Sequence, residues 1–152
     1  MNPFLADYKT RLKQWRTLRV QIKQTSDVDA KIDICLEFWK QAPEERVRIN
    51  WDDSATWPGP WELLHDNAYC VSCQSMGIAY TLMLADPDTF PNVTLKLIWD
   101  RQNSIQRIVA HTHSYLLNWG YIDKTHVDTL KHVIVQNTWE WHNKQWQATR
   151  PK

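Results

Sequence analysis

The chain has 152 residues, a net charge of +1, 43% hydrophobic residues and 23% charged residues. These values fit one folded domain, and they exclude a largely disordered chain or one whose overall charge drives binding to nucleic acid or membranes. The three cysteines are an odd number, which argues against a disulfide-stapled scaffold and favours a reducing compartment.

Apolar spacing predicts two helices in the first 42 residues. In residues 4–24, apolar side chains recur three or four positions apart and so share one helical face: Leu5, Tyr8, Leu12, Trp15, Leu18 and Ile22. Ser26 can cap a second helix that runs to about Gln41, and Pro43 cannot continue it. Residues 43–66 form a connection rich in Trp and Pro, whose large rings are expected to pin it to the domain.

The rest of the chain predicts one more helix and then strands. Residues 67–85 carry apolar or small side chains almost all round, which is typical of a buried central helix. Strand patterns follow over residues 93–100, 105–112, 115–121 and 132–141, and the tail over residues 143–152 is polar and expected to be frayed. We therefore predict a single α+β domain over residues 1–152, in which helix and sheet over residues 67–142 form a core of three to five antiparallel strands.

Cys70 and Cys73 near the start of the third helix are the first candidate site. With Asp66 or Asn67 as the cap, Cys70 lies in the first turn, where unpaired amides and the helix dipole stabilise a thiolate. The alternative is that both thiols only fill space in the core. Their Cys-x-x-Cys spacing also fits a thioredoxin-like pair, but that would need a preceding strand, and a Trp/Pro loop precedes Cys70.

The segment Asn67–Tyr80 (NAYCVSCQSMGIAY), followed by strands that include Leu116–Trp119 (LLNW), resembles the transglutaminase-like and papain-like cysteine enzymes. The resemblance covers roughly residues 57–141, and a degenerate phage member is one form of it. It implies a thiol-dependent enzyme that cleaves amides or transfers acyl groups and needs no cofactor. Cys70 would be the nucleophile with Cys73 in reserve, and Asn118 would orient an imidazole. Gln74 or a backbone N–H at the start of the helix would donate to the oxyanion.

The sequence departs from this family at the general base. The family carries a histidine at the start of a strand, which here falls near Gln106 or Arg107, and neither side chain can take a proton at neutral pH. One alternative is that His111 serves as the base from a shifted position. The other is that the fold has kept its cleft and lost its chemistry.

His111 and His113 are also the only pair with metal-site spacing on a strand. A third ligand would have to come from Asp123, His126 or Asp128. We favour the alternative that residues 113 and 114 make a polar turn, and we predict no metal site.

The remaining expectations concern binding. Trp57, Trp61 and Trp119 are candidate cleft residues, and they support an alternative function: a non-catalytic binding or inhibitory protein of phage-accessory type on the same scaffold. We interpret the basic side chains of the first helix as an ordinary solvent-exposed face, and we therefore do not expect nucleic acid as a partner. The expected partner is a protein or peptide substrate or a host protein. Without an apolar run of signal or membrane length, the expected location is the cytoplasm, or the host cytoplasm for a viral protein.

Overall fold

Helical spacing of apolar residues produces the first half of the fold. In the computed structural model, which describes residues 2–46 and 49–149, four α-helices precede the sheet: α1 (Tyr8–Gln24), α2 (Val28–Trp39), α3 (Pro60–Asp66) and α4 (Val71–Ala85). Asp7 and Asp27 cap α1 and α2 by accepting backbone amides three residues ahead. The helix predicted over residues 4–24 therefore begins later, at Tyr8, and Asp27 rather than Ser26 caps its successor, which ends at Trp39.

The second half of the described chain forms one antiparallel sheet. Its six strands are β1 (Thr94–Asp100), β2 (Ile105–Thr112), β3 (Tyr115–Leu117), β4 (Lys124–His126), β5 (Val133–His142) and β6 (Gln145–Ala148). Their order across the sheet is β4-β3-β2-β1-β5-β6. The architecture confirms the predicted α+β class, with one strand more than the upper limit that we predicted.

The extra strand lies in the tail that reads as polar in the sequence. Asn143 and Lys144 both adopt positive φ and turn the chain, so β6 pairs with β5. Trp146 is then buried, and its indole nitrogen donates to the Tyr80 hydroxyl at 2.8 Å. The prediction of a frayed tail from residue 143 is therefore wrong, because one aromatic side chain finds a partner on α4.

Helix α4 lies between the sheet and the N-terminal helices, and 11 of its 15 residues are buried. Trp39 of α2 packs so closely that a Cβ on Gly77 would lie 2.3 Å from its ring, so glycine is required there. Thr81 accepts hydrogen bonds from the indoles of Trp15 and Trp39 at 2.9 and 3.0 Å. These contacts fix α4 against α1 and α2 and so fix the position of the cysteines at its start. Among the described helices, none is long and apolar enough to cross a membrane.

Candidate active site

Cys70 is the N-cap of helix α4 and immediately precedes its first residue, Val71. Asn67, in the left-handed conformation with φ 53°, ends α3, so neither Asp66 nor Asn67 caps α4 as the sequence predicts. Cys70 has extended dihedral angles (φ −76°, ψ 172°), and its sulfur accepts the Cys73 amide at 3.4 Å. An N-cap cysteine holds its sulfur over the unpaired amides at the positive end of the helix dipole.

Several groups stabilise the thiolate of Cys70. The hydrogen bond from the Cys73 thiol, whose sulfur lies 3.4 Å away, lowers the pKa of Cys70 most. The backbone amides of Cys73, Ile49 and Ser72 lower it further and outweigh burial, so the pKa of Cys70 falls to about 6. These hydrogen bonds therefore favour the thiolate form of Cys70.

Cys73 has the opposite character. Its hydrogen bond to the Cys70 thiolate raises the pKa of Cys73, and burial raises it further. The two side chains differ little in exposure, 8% for Cys70 and 3% for Cys73. The pair thus consists of an ionised sulfur and a protonated thiol that donates to it. Burial raises the pKa of the third cysteine, Cys35, which lies in the core between α2 and α4.

Cys70 borders a cleft of about 710 Å³. One side is formed by Arg46, Ile49 and Trp51 of the loop between α2 and α3, and the other by strand residues such as Leu97 and Ile108. The loop is held beside the cysteine by pairing with the residue before it, because the Glu45 amide donates to the Tyr69 carbonyl at 2.8 Å. A substrate in this cleft would meet the Cys70 sulfur at the start of α4.

Gln106 occupies the sheet side of the cleft, where the resemblance places a histidine. Alternate residues of β2 face α4, and Ile108 and Ala110 pack in the core around that helix. Gln106 shares their side and lines the cleft, with its Nε2 donating to Gln136 at 2.6 Å. A carboxamide is not a base at neutral pH, and none of the described residues that line the cleft is a histidine.

His111, the predicted general base, lies on the other face of β2 from the cleft. It shares a strand face with Val109, which packs with Ile98 and Leu116 in a separate cluster. That face is opposite to the one that α4 covers, since the side chains of a strand alternate. Burial and then the Lys96 charge lower the pKa of His111. Only a one-residue register shift would turn His111 towards Cys70, and the β1–β2 pairing is regular along the whole strand.

Asn118 contacts α4 and not an imidazole. Its Nδ2 donates to the Val71 carbonyl at 3.1 Å and to the Ser75 hydroxyl at 3.0 Å, while its Oδ1 accepts the Ile122 amide at 2.9 Å. Ser75 in turn donates to the Ile108 carbonyl at 2.8 Å. Asn118 adopts φ 75°, a left-handed conformation that asparagine tolerates. This network fixes the first turn of α4, which carries both cysteines, to β2 and to the end of β3.

The other predicted site residues lie outside the cleft. Gln74 is buried in α4, and its Nε2 has no hydrogen-bond partner among the described residues. Trp57 is buried and packs edge-on against Trp139 in the core. Trp61 stacks against Trp15 and Arg19 on the helical side, and Trp119 packs in the cluster on the far face of the sheet.

Trp51 is the aromatic residue of the cleft that sequence reasoning did not single out. It lines the cleft and is 49% exposed. It lies in the same connection as Trp57 and Trp61. The high tryptophan content of this segment therefore identifies it as a candidate, but does not indicate which of the three rings faces the site. The only signal that separates them is the position of the loop beside Cys70, which depends on the tertiary fold.

Four helices before an antiparallel sheet, with a cysteine at the start of the central helix, define a transglutaminase-like fold. Solved structures of Legionella pneumophila LapG match the chain with TM-scores of 0.67 and 0.69 at 14% and 15% sequence identity. They cover 92% and 97% of this chain and 80% and 83% of the LapG chains. This likeness confirms the fold predicted from the resemblance. No protein-family model and no curated protein matches the chain.

The LapG matches include a calcium-bound form and an EGTA-treated form, the latter at 15% identity and a TM-score of 0.67. Within residues 2–46 and 49–149 of this chain, no three His, Cys, Asp or Glu side chains converge as a metal site. His113 instead lies with its Nε2 3.1 Å from the Thr89 carbonyl. The source of the matched structures gives no support to a phage origin.

Proposed function

We propose that this chain is a thiol-dependent acyl-transfer or amide-cleaving enzyme of transglutaminase-like type, acting on a protein or peptide through Cys70. The observation that carries the proposal is the Cys70 sulfur, which borders an open cleft and whose pKa is lowered to about 6. A thiolate is the nucleophilic form of cysteine, so the first requirement of acyl transfer is met without a general base. A LapG-like fold also suggests a cysteine protease.

The geometry favours some acyl donors over others. The Cys70 thiolate adds to the carbonyl carbon of the substrate, and the leaving group departs while the acyl group stays on sulfur. An imidazole would protonate a leaving amine and later activate water, but Gln106 stands on the sheet side of the cleft. We therefore expect thioesters, whose leaving group needs no proton, to react faster than amides, and we expect the acyl-enzyme to hydrolyse slowly.

A second candidate function is peptide binding without catalysis. Gln106 in the place of a base and the exposed Trp51 ring beside the cleft favour it. A solvent-facing tryptophan supplies a large contact area for a partner side chain at low entropic cost. The two functions differ in whether a covalent bond forms at Cys70.

The test is mass spectrometry of the intact chain after incubation with a peptide thioester. We expect one acyl group per chain, mapped to Cys70, and complete loss of the adduct in Cys70→Ala. Cys35→Ala is the matched control, since Cys35 is buried away from the cleft, and it should acylate as the parent does. Retention of the peptide without an adduct would support binding alone, and an adduct that persists in Cys70→Ala would refute the assignment of the nucleophile.

A further inference from the structure

The two sulfurs at the start of α4 are in direct contact but not bonded. Cys70 Sγ and Cys73 Sγ lie 3.4 Å apart, whereas a disulfide bond is about 2.0 Å long. The three-residue spacing at a helix start is the one that thiol–disulfide oxidoreductases use for their Cys-x-x-Cys pair. Closing the bond needs side-chain rotation within one helical turn and no movement between elements.

The two thiols also differ in access. Cys70 borders the cleft of about 710 Å³, and Cys73 borders a smaller cavity of about 320 Å³ on the other side of Ile49. A molecule that enters the larger cleft therefore meets the ionised sulfur first. The protonated thiol lies directly behind it, in the position of a resolving cysteine.

We propose that Cys70 and Cys73 form a reversible disulfide by exchange with a low-molecular-weight disulfide of the glutathione type. Closing this bond removes the sulfur that would attack the acyl donor. That regulatory consequence rests on the proposed function, whereas the exchange itself needs only the two thiols and the cleft.

The exchange balances in two steps. The Cys70 thiolate attacks one sulfur of the external disulfide, forms a mixed disulfide and releases one external thiolate. Cys73 then passes its proton to that thiolate, attacks Cys70 Sγ and releases the second external sulfur as a thiolate. The chain loses two electrons and the one thiol proton of Cys73 overall, and the external disulfide gains both and becomes one thiol and one thiolate, which takes a proton from the solvent.

The reduced form of the Cys70–Cys73 pair has hydrogen bonds to its thiolate that the disulfide form lacks. Its thiolate accepts the amides of Cys73, Ile49 and Ser72, and these bonds lose their anion when the disulfide forms. Stabilisation of the reduced form makes a disulfide more oxidising and easier to reduce. The bond should therefore open readily with glutathione, as a switch requires and a structural disulfide does not.

Cys35 cannot compete for either sulfur in the folded chain. It is fully buried, and its thiol lies 3.8 Å from the Ile78 carbonyl, two helical turns along α4 from Cys70. The structure therefore specifies one pairing out of the three that three cysteines allow.

The test equilibrates the full chain in glutathione and glutathione disulfide, then quenches with acid, alkylates under denaturing conditions and measures intact mass. We expect excess glutathione disulfide to remove two of the three alkylatable thiols, with a peptide map linking Cys70 to Cys73, and excess glutathione to restore them. Cys73→Ser should stop at a mixed disulfide on Cys70, and Cys35→Ala should still close the bond. Three alkylatable thiols under all conditions, or a link to Cys35, would overturn the proposal.

The same variants separate this proposal from the proposed function. Cys73→Ser keeps the Cys70 nucleophile but cannot close the bond. Once reduction has removed glutathione from its mixed disulfide, this variant should still be acylated at Cys70, at a lower rate because the Cys73 thiol no longer donates to the Cys70 sulfur. A chain that closes the bond but never acylates retains the switch and refutes the enzyme. A chain that acylates but keeps all three thiols retains the enzyme and refutes the switch.

Discussion

The helix and the sheet that border the cleft differ in what they contribute to a cysteine enzyme. The helix side carries Cys70 with the Cys73 thiol and the backbone amides of Ser72 and Cys73 around its sulfur, and the Ile49 amide reaches the sulfur from the loop. The sheet side carries Gln106, a side chain that cannot exchange a proton at neutral pH. The comparison teaches that forming the thiolate and moving protons during a reaction are separate tasks, and that Gln106 cannot perform the second.

The largest expected effect comes from supplying the missing base. In Gln106→His, an imidazole replaces the carboxamide on the cleft side of β2, and we expect hydrolysis of the acyl-enzyme to rise by about 10²-fold, at the lower end of general-base effects. Single-turnover decay of the Cys70 adduct measures this rate. Gln136→His is the matched control, because Gln136 bonds Gln106 from outside the cleft and should leave the rate unchanged. An unchanged rate in Gln106→His would show that the sheet side does not limit turnover.

The next largest effect tests the helix side. Cys73→Ala removes the hydrogen bond that lowers the pKa of Cys70 most. The midpoint of Cys70 alkylation should therefore move up from about 6 towards the ordinary thiol value of about 8.5. Cys73→Ser keeps a hydroxyl donor and should move it less. Equal midpoints in the parent chain and Cys73→Ala would mean that the amides alone stabilise the thiolate.

The smallest effect concerns the network that fixes the start of α4. Asn118→Ala removes two donated hydrogen bonds and leaves the Ile122 amide without its acceptor. We expect a loss of about 1–3 kcal/mol in the free energy of unfolding, the cost of unpaired buried polar groups. Urea unfolding measures it. Asn92→Ala, at an exposed position, should change stability by about 0.5 kcal/mol or less, and a similar value for Asn118→Ala would contradict the positioning role.

The buried helix and the fold class were accessible from sequence because they depend on local patterns. Apolar and small residues all round residues 67–85 predict a buried helix, which the structure has over Val71–Ala85. Helix α3 is hidden because Pro60 follows glycine in a cluster that reads as a loop, although proline is also favoured in the first turn of a helix. Because α3 ends at Asn67, the residue that caps α4 is Cys70 and not Asp66 or Asn67.

The partners of the site were not accessible because they depend on register and on distant contacts. His111 shares a strand with Gln106, and only the pairing with β1 and the position of α4 decide which face each one takes. Trp146 becomes part of a sixth strand through Tyr80, which is 66 residues away in the chain. The absence of a preceding strand argued against a redox pair, yet the sulfur geometry arises from the helix start alone.

The pH dependence of Cys70 alkylation by iodoacetamide in the folded, reduced chain tests the central claim most directly. Each adduct is assigned by peptide mapping, with Cys35→Ala as the parallel control. The predicted result is rapid alkylation of Cys70 with a midpoint at about pH 6. A midpoint at the ordinary thiol value of about 8.5, or alkylation of Cys70 only after unfolding, would contradict the account.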